Sequence, residues 1–488
     1  MKNYSVHFET LGCKLNQIET EALARSFSDE GFLPDLEPIT AAAQISEDTI
    51  LCVINTCTVT TKAEQKARRL IRLLLSKYPK AAVVATGCYA ELDKAIIENI
   101  DKKVSVIRGS RKDLLASLPK RFASFIEDKA ENEISADKSA EFVKALSQEE
   151  KAESEKGTEK KIAPQFLLYT DTFQTHSRAS IKIQDGCSNS CTYCRIHLAR
   201  GKSVSLDVET VLERVQQLEK AGQKEVVFTG VNLSQYRGAL KAHHEDFAGL
   251  LKILLENTSN IAFRISSFYP EHITERLCSI LKNPRIRPSF HLSIQSGSDE
   301  ILKAMKRQYK AEDVYRAVSL LREAKENPFI ACDIIAGFPG ESEEDFAQTK
   351  KMCGDLRFSW IHAFPFSPRP GTPAYTMTPK IPERIKGERV AWLTEIAKKE
   401  KIAYIESFKG KKISAIVENS RADRILLKKT NVIHAVTENF LHAEINTARI
   451  KENIKAGDEI LIEVKEPLIQ KIMEGSEAEL SAEFVSLL

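Results

Sequence analysis

The sequence predicts an α/β protein built from an N-terminal open parallel α/β domain, a partial (β/α)6 barrel and a C-terminal small β-barrel. Two patterns lead to this prediction. Apolar runs alternate with helix-period stretches as far as residue 405, whereas only short alternating runs follow. At 488 residues the chain is long enough for about three domains. We expect them at 1–125, 173–405 and 406–488, with a charged linker or insertion at 126–172.

The cysteines indicate the class of protein more clearly than the overall composition does. The 71 basic and 68 acidic residues nearly cancel, so the net charge indicates no particular partner. Since no run of 18 apolar residues and no signal peptide is present, we expect a cytoplasmic protein. In that compartment ten cysteines favour metal or redox sites over disulfides.

In the N-terminal domain three cysteines each follow a predicted buried strand. Strands are expected at 4–8, 49–54 and 81–85, and Cys13, Cys57 and Cys88 come just past them. Open α/β sheets place their ligand sites at this edge. The three thiols are therefore expected to converge and hold an iron-sulfur cluster; the alternative is that they are small core residues.

A second set of cysteines lies in one loop with the spacing CxxxCxxC, at Cys187, Cys191 and Cys194. Three thiolates can hold three irons of a cubane cluster and leave the fourth iron open to the amino and carboxylate groups of a cofactor. Tyr193 adds an aromatic face to the same loop. The alternative is a zinc knuckle with His197 as its fourth ligand.

In the middle domain a predicted strand followed by a predicted helix occurs six times in succession. This repetition predicts an open, partial (β/α) barrel with its working face at the carboxyl ends of the strands. Glycine- and serine-containing loops follow most of the strands at that face. The predicted strands are 179–184, 224–229, 261–266, 289–295, 329–336 and 358–364.

Short strands without long helices predict the C-terminal β-barrel. They are expected at 412–417, 424–428, 432–436, 441–446 and 459–465. Between 409 and 429 there are seven basic and two acidic residues, a charge suited to phosphates. A second basic segment, 62–80, is equally consistent with a solvated helix face. Residues after 466 turn acidic and indicate nothing further.

Several of these segments resemble a known family. Residues 183–194 resemble the signature of radical S-adenosylmethionine enzymes, in the form used by methylthiotransferases. The stretches TLGCKLNQIETE, INTCTVTTKAEQKARR and ATGCYAE resemble the cysteine motifs of the methylthiotransferase N-terminal domain. Lys14, Leu15, Asn16 and Gln17 resemble the branch that acts on N6-threonylcarbamoyladenosine in tRNA, and the C-terminal barrel resembles the RNA-binding TRAM module.

The resemblance implies two 4Fe-4S clusters and S-adenosylmethionine as cofactors. The cluster on Cys187, Cys191 and Cys194 would reduce one S-adenosylmethionine to methionine and a 5′-deoxyadenosyl radical; a second would supply the methyl group. Cys13, Cys57 and Cys88 would hold the cluster that carries the sulfur. Implied partners are the tRNA anticodon arm with its adenosine at position 37 and an electron donor such as flavodoxin or ferredoxin. Implied cofactor-binding residues are Tyr193, Thr229, Gly230, Val231, Ser267, Gln295 and Gly337.

The chain departs from the family pattern at a few positions near the cysteine loop and the barrel rim. These are Arg195, Ile196, His197, Val204 and Tyr269. Alternative functions are a methylthiotransferase acting on isopentenyladenosine in tRNA or on a ribosomal-protein aspartate, and a non-catalytic iron-sulfur or zinc RNA-binding protein.

Overall fold

The computed structural model describes residues 4–129, 134–149, 162–173, 177–418, 432–447, 450 and 452–488. The chain forms two compact units. The first contains Met1–Thr172, Asp185–Asn189 and Cys194–Leu206; the second contains Phe173–Gln184, Ser190–Tyr193 and Asp207–Leu488. Within the described ranges no helix is long and apolar enough to cross a membrane.

The first unit is built on a five-stranded, wholly parallel sheet with the strand order β2-β1-β3-β4-β5. Every residue of β3 and β4 is buried, as a sheet covered on both faces requires. The predicted open parallel α/β fold is therefore confirmed. The elements in chain order are β1 Ser5–Thr10, α1 Lys14–Asp29, β2 Leu33–Asp35, β3 Thr49–Thr56, α2 Thr61–Lys77, β4 Ala82–Gly87, α3 Cys88–Leu92, α4 Lys94–Glu98, β5 Val104–Val106, α5 Lys112–Glu127 and α6 Ala136–Gln148.

Helix α6 lies in the segment 126–172, which the sequence predicted to be a charged linker or insertion. Ala140, Val143 and Leu146 lie on one face and are buried in the core of the first unit. Ser105 Oγ also donates a hydrogen bond of 3.0 Å to the Ala140 carbonyl. The i, i+3, i+6 spacing of these apolar residues is masked in the sequence by the charges between them. Residues 150–161 lie outside the described ranges.

In the second unit, parallel strands occupy six consecutive positions around the partial barrel. One sheet has the order β12-β9-β6 and the next β13-β14-β15-β16, and only Ser266 separates β12 from β13. The predicted partial (β/α)6 barrel is confirmed. Its elements, with those flanking the cysteine loop, are β6 Ala179–Lys182, β7 Gln184–Asp185, α7 Ile196–Arg200, β8 Val204–Ser205, α8 Val208–Lys220, β9 Glu225–Thr229, β10 Gly238–Leu240, β11 His243–Glu245, α9 Phe247–Asn257, β12 Ala262–Ile265, β13 Ser267–Phe268, α10 Glu275–Leu281, β14 Ser289–Gln295, α11 Asp299–Ala304, α12 Ala311–Ala324, β15 Phe329–Ala336, α13 Glu343–Leu356, β16 Trp360–Pro365 and α14 Glu383–Glu406.

Helix starts in both units carry side-chain caps that satisfy their first N–H groups. Thr60 Oγ1 accepts from Ala63 N–H at 3.1 Å before α2, and Asp207 Oδ1 accepts from Thr210 N–H at 2.8 Å before α8. The helices therefore begin where the chain leaves the cysteine-bearing loops.

A closed five-stranded barrel follows α14, with the strand order β17-β18-β19-β21-β20. Four of the predicted strands are confirmed, and the fifth, 424–428, lies outside the described residues. The tail after 466, whose sequence indicated nothing further, contains the strand that closes the barrel, because alternate residues of β21 point inward. The elements are β17 Lys412–Val417, β18 Val432–Thr437, β19 His442–Asn446, β20 Glu459–Pro467, α15 Ile469–Glu474 and β21 Leu480–Leu487.

The C-terminal barrel is joined to the partial barrel by a shared apolar core and by a buried ion cluster. Phe329 and Ala331 of β15 pack in the same core as the inward-facing barrel residues. Arg287 links the two parts, donating to Glu225 Oε2 at 2.9 Å and to Glu459 Oε1 at 2.6 Å.

Glu225 is the centre of that ion cluster. Arg264 donates to both of its oxygens, at 2.6 and 3.0 Å. Burial alone would raise the pKa of Glu225, but Arg264, Arg287 and Arg178 outweigh it and lower the pKa to about 2. The folded state therefore favours the charged carboxylate, which contributes to stability at neutral pH.

Replacing Glu225 by Gln should lower the free energy of unfolding by about 3–5 kcal/mol at pH 7, because Arg264 and Arg287 remain buried without their counter-charge. The folded pKa lies below the unfolded one. The wild type should therefore lose this contribution as the pH falls from about 5 towards about 2, and the difference between the two proteins should shrink. Denaturant unfolding between pH 7 and pH 3, with exposed Glu256→Gln as the matched control, measures this. Equal stability at pH 7 would contradict it.

Candidate functional site

Three predicted cysteine ligands lie at the carboxyl edge of the parallel sheet in the first unit. Cys13 follows β1 and precedes α1, Cys57 follows β3, and Cys88 is the first residue of α3 after β4. In a sheet of order β2-β1-β3-β4-β5 the connections reverse direction between β1 and β3, which is where such folds bind their ligands. The predicted placement of these cysteines at strand ends is observed.

Two glycines allow the cysteine-bearing loops to come close together. Gly12 has φ +106°, and a Cβ there would stand 2.7 Å from Cys57 Cβ and 2.9 Å from its Sγ. Gly87 has φ +91°, and a Cβ there would stand 2.4 Å from the Thr56 carbonyl oxygen. Only glycine tolerates both the backbone angle and the contact.

The donor set suits an iron-sulfur cluster. Burial, together with the nearby Cys88 and Cys13, raises the pKa of Cys57 to about 11. Burial also raises the pKa of Cys88. Within the described residues no three His, Cys, Asp or Glu side chains converge on a single metal ion. Three neighbouring thiols that bind separate irons are the ligand set of a cubane cluster.

Arg200, the last residue of α7, is the principal cation at this edge. Its Nε donates to Cys88 Sγ at 3.2 Å, and Nη2 donates to Asn16 Oδ1 at 2.8 Å. Nη1 donates to both Asp185 oxygens, at 2.9 and 3.0 Å, and to Glu19 Oε1 at 3.4 Å. The guanidinium therefore joins the N-terminal cysteines to the two ends of the CxxxCxxC loop, within one unit.

Arg195 departs from the family pattern and pairs with two acidic side chains, although its buried Nε has no hydrogen-bond partner among the described residues. Its Nη1 donates to Glu64 Oε1 at 3.1 Å, and Nη2 lies 3.2 Å from Asp93 Oδ2. Glu64 also accepts from Thr58 Oγ1 at 2.5 Å. The arginine is thus neutralised by α2 and by the residue between α3 and α4, next to Cys57 and Cys88 in sequence.

The CxxxCxxC loop runs from β7 to α7. In the first unit, Cys187 N–H donates to the Gly201 carbonyl at 3.0 Å, and Cys194 Sγ accepts from Ile196 N–H at 3.4 Å. Cys187 is buried and Cys194 is half-buried. These bonds fix the two ends of the loop against its own flanking residues.

Cys191 and Tyr193 belong to the second unit. Thr192 between them donates its N–H to the Met305 carbonyl at 3.1 Å, and its own carbonyl accepts from Ala374 N–H at 2.8 Å. The middle of the loop is thereby held by the segments that follow β14 and β16.

Arg307, which the sequence did not single out, lies under the ring of Tyr193. Its Nη2 donates to Tyr193 Oη at 2.8 Å, and its guanidinium carbon lies 4.5 Å from the ring centroid of Tyr269 and 5.7 Å from that of Tyr309. Among the described residues its buried Nε and Nη1 have no hydrogen-bond partner. Buried donors of this kind suit an anionic group such as the carboxylate of S-adenosylmethionine.

Other predicted cofactor-binding residues follow β9. Thr229 is the last residue of that strand, and its carbonyl accepts from Ile183 N–H at 3.0 Å. A Cβ on Gly230 would stand 2.7 Å from Gln184 Oε1, which accepts from Asn232 N–H at 2.8 Å. Val231 lies half-buried between them. The loop is held against Gln184, three residues before Cys187.

Ser267, Gln295 and Gly337 lie at the carboxyl ends of the next strands, as predicted. Ser267 Oγ is 2.6 Å from Ser293 Oγ. Gln295 has φ +72°, a conformation that a non-glycine residue keeps only when its surroundings impose it. Gly337 has φ +75°, and a Cβ there would stand 2.3 Å from Lys386 Cγ. The barrel residues predicted from resemblance thus share one rim.

Two of the four residues that suggested the tRNA branch have structural roles in the first unit. Leu15 and Asn16 are buried, and Asn16 Nδ2 donates to the carbonyls of Leu11, at 2.8 Å, and Thr56, at 3.2 Å. Asn16 therefore secures the loops on which Cys13 and Cys57 lie.

Comparisons with known proteins agree with this architecture. Residues 181–353 match the radical SAM superfamily, and residues 5–109 match the uncharacterized protein family UPF0004. The threonylcarbamoyladenosine tRNA methylthiotransferase MtaB of Treponema pallidum is 44% identical, over 91% of this chain and 94% of its own length. Its namesake from Thermotoga maritima is 34% identical, over 85% and 86%.

Among solved structures, the radical S-adenosylmethionine methyltransferase TsrM from Kitasatospora setae superposes with a TM-score of 0.50. The identity is 15%, and the match covers 76% of this chain and 74% of that one. At this identity the likeness concerns the fold alone.

The fold and the matches together define a radical S-adenosylmethionine methylthiotransferase. The chain belongs to the MtaB family of tRNA methylthiotransferases. A 4Fe-4S cluster and S-adenosylmethionine are the cofactors of this class.

Replacing Arg200 by Met should lower the stability of the apo-protein by about 3–5 kcal/mol, because the buried Asp185 carboxylate would lose the guanidinium that donates to both of its oxygens. Arg200→Lys should fall in between, since it keeps the charge but not the five donors. Denaturant unfolding in reducing, metal-free buffer measures both. The matched control is Arg25→Met at an exposed surface pair. A variant at position 200 as stable as this control would contradict the assignment.

Proposed function

We propose that the protein methylthiolates carbon 2 of N6-threonylcarbamoyladenosine at tRNA position 37, using two S-adenosylmethionine molecules and two 4Fe-4S clusters. Cys187, Cys191 and Cys194 hold the first cluster. Cys13, Cys57 and Cys88 hold the second. The single observation that carries the proposal is the convergence of three cysteines, on glycine-dependent loops, at the ligand-binding edge of the N-terminal sheet.

Carbon 2 of adenine is unactivated, so removing its hydrogen requires radical chemistry. When bound, the first cluster and S-adenosylmethionine supply radical chemistry that can remove such a hydrogen. The chain's own contribution is to bind and orient. Arg307, beneath Tyr193, offers two donors to the cofactor carboxylate, and Gln184 fixes the loop of Thr229 to Val231.

At the second cluster the protein supplies ligands and fixed charge. Arg200 donates to the sulfur of Cys88, so negative charge on that ligand is met by a buried cation. Hydrogen bonds to cluster sulfurs and low solvent exposure are the main means by which a protein sets a cluster's potential. This arrangement suits a cluster that carries sulfur for transfer.

The substrate's phosphates would be bound by basic surfaces in both units. Helix α2 exposes Lys62, Lys66, Arg69 and Arg72 on one face. The basic segment of the C-terminal barrel includes Lys409, Lys411 and Lys412; the rest of it lies outside the described residues. An adenosine in a single-stranded loop can be splayed into a pocket at modest cost. We also propose a flavodoxin or ferredoxin as electron donor and the cytoplasm as the site of action.

The two clusters should be separable by substitution. Replacing Cys187, Cys191 and Cys194 by Ala should leave about four irons per chain and abolish S-adenosylmethionine cleavage. Replacing Cys13, Cys57 and Cys88 should also leave about four irons, yet permit cleavage without methylthiolation. Cys52, Cys278 and Cys332, which are buried core residues, provide a triple-Ala control with about eight irons. If anaerobically reconstituted wild type holds only one cluster, the two-cluster mechanism is wrong.

Neutralising the exposed face of α2 should weaken tRNA binding. In the variant Lys62→Gln, Lys66→Gln, Arg69→Gln, Arg72→Gln, the slope of log Kd against log salt should fall by about 0.7–0.9 for each phosphate that the helix no longer neutralises. Filter binding at several salt concentrations measures it. The control carries the same charge change at exposed, scattered lysines: Lys220, Lys252, Lys282 and Lys399 to Gln. An equal effect in both variants would mean that net charge, not this helix, binds the tRNA.

A further inference from the structure

One face of the partial barrel carries polar side chains that the proposed chemistry leaves unused. On β14, β15 and β16 the alternate residues Leu292, Cys332 and Ile361 are fully buried, as expected beneath the barrel's helices. The residues that alternate with them form the concave face, on which His291, Asp333 and His362 are partly buried. At the amino ends of the strands this face is closed by the C-terminal barrel, through Phe329 and Ala331.

His291, Asp333 and His362 lie side by side on the concave face, and we refer to them as the concave-face triad. Asp333 pairs in register with His362. His291 Nε2 lies 3.0 Å from Asp333 Oδ1, and the two imidazole rings stack with centroids 5.2 Å apart. Three neighbouring strands thus bring together a carboxylate and two imidazoles above the closed floor of the barrel.

The triad is held in a defined state by its neighbours. Trp360 Nε1–H donates to His362 Nδ1 at 3.3 Å. Burial, and the adjacent His291, lower the pKa of His362 to about 4. His362 is therefore neutral at physiological pH, and because Nδ1 accepts a hydrogen bond, its proton is on Nε2. That N–H is a fixed donor.

The triad presents one donor beside an aromatic surface. His291 Nε2 is buried and lies against Asp333, so the donor that a ligand can use is Nε2–H of the partly buried His362. Phe364, one pair along β16, lies nearly parallel to His362, with centroids 6.5 Å apart, and is 44% exposed. A fixed donor beside an exposed aromatic ring suits a flat base that carries a polar substituent.

We propose that the concave-face triad binds the polar N6 substituent of the substrate nucleoside, with His362 as the donor that selects it over an apolar one. The inference rests on the proposed function. A threonylcarbamoyl group offers carbonyl and hydroxyl partners to the His362 N–H. A prenyl group in the same place leaves this donor desolvated and unpaired, and such a mismatch discriminates strongly between the two substrates.

Replacing His362 by Phe tests this, because it keeps the aromatic stack with His291 and Phe364 and removes the Nε2–H donor, together with the Nδ1 acceptor of Trp360. The measured quantity is the ratio of kcat/KM on tRNA carrying N6-threonylcarbamoyladenosine to kcat/KM on tRNA carrying isopentenyladenosine. This ratio should fall by about 10- to 100-fold. His362→Gln, which retains an N–H donor, should keep most of the preference, and Trp360→Phe should lower it less than His362→Phe.

Tyr375→Phe is the matched control, since it removes an exposed aromatic hydroxyl of the same unit. Iron content and melting temperature report folding, and any general damage cancels in the ratio. An unchanged ratio in His362→Phe, with a strong wild-type preference, would overturn the triad's role and leave the proposed function standing. Wild type without a preference would overturn the substrate assignment and this inference together.

Discussion

The buried guanidinium of Arg200 is the interaction on which the first unit depends. It reaches a thiol after β4, an amide in α1 and a carboxylate before the cysteine loop, so three separate chain segments share one counter-charge. A charge removed from water is stable only when its partners are held in place. The same network that keeps the protein folded therefore also keeps the cysteines in position, and substitutions there will act on stability and iron binding together.

In the second unit, Glu225 is likewise a buried charge that is held by fixed partners. Its arginine partners Arg264 and Arg287 tie the partial barrel to the C-terminal barrel, and the shared apolar core closes the amino end of the barrel. The C-terminal barrel, which we propose binds RNA, is thus also a structural floor, so its role is better examined by surface substitution than by deletion. Because the amino end of the partial barrel is closed, its open end is the rim that carries Ser267, Gln295 and Gly337.

The sequence alone was sufficient to predict the features that leave a pattern in a short stretch of residues. The strand-helix rhythm and the cysteine spacings predicted the parallel sheet, the six-position barrel and the placement of Cys13, Cys57 and Cys88. It was insufficient where the partner lies far away: Arg200 and Cys88 are 112 residues apart, and two of the three tyrosines around Arg307, Tyr193 and Tyr269, are distant from it in the sequence. The burial of helix α6 within the predicted linker or insertion was not foreseen because its apolar stripe is interrupted by charges, and β21 was missed because a solvent-facing polar row conceals the alternation.

Closure of the C-terminal barrel by β21 has a genetic consequence. This strand pairs with β19 on one side and with β20 on the other. A premature stop codon that removed Leu480–Leu487 would leave both neighbours with open edges, which favour aggregation. Because the same barrel forms the floor of the partial barrel, such a truncation would damage the enzyme far from where the chain was shortened.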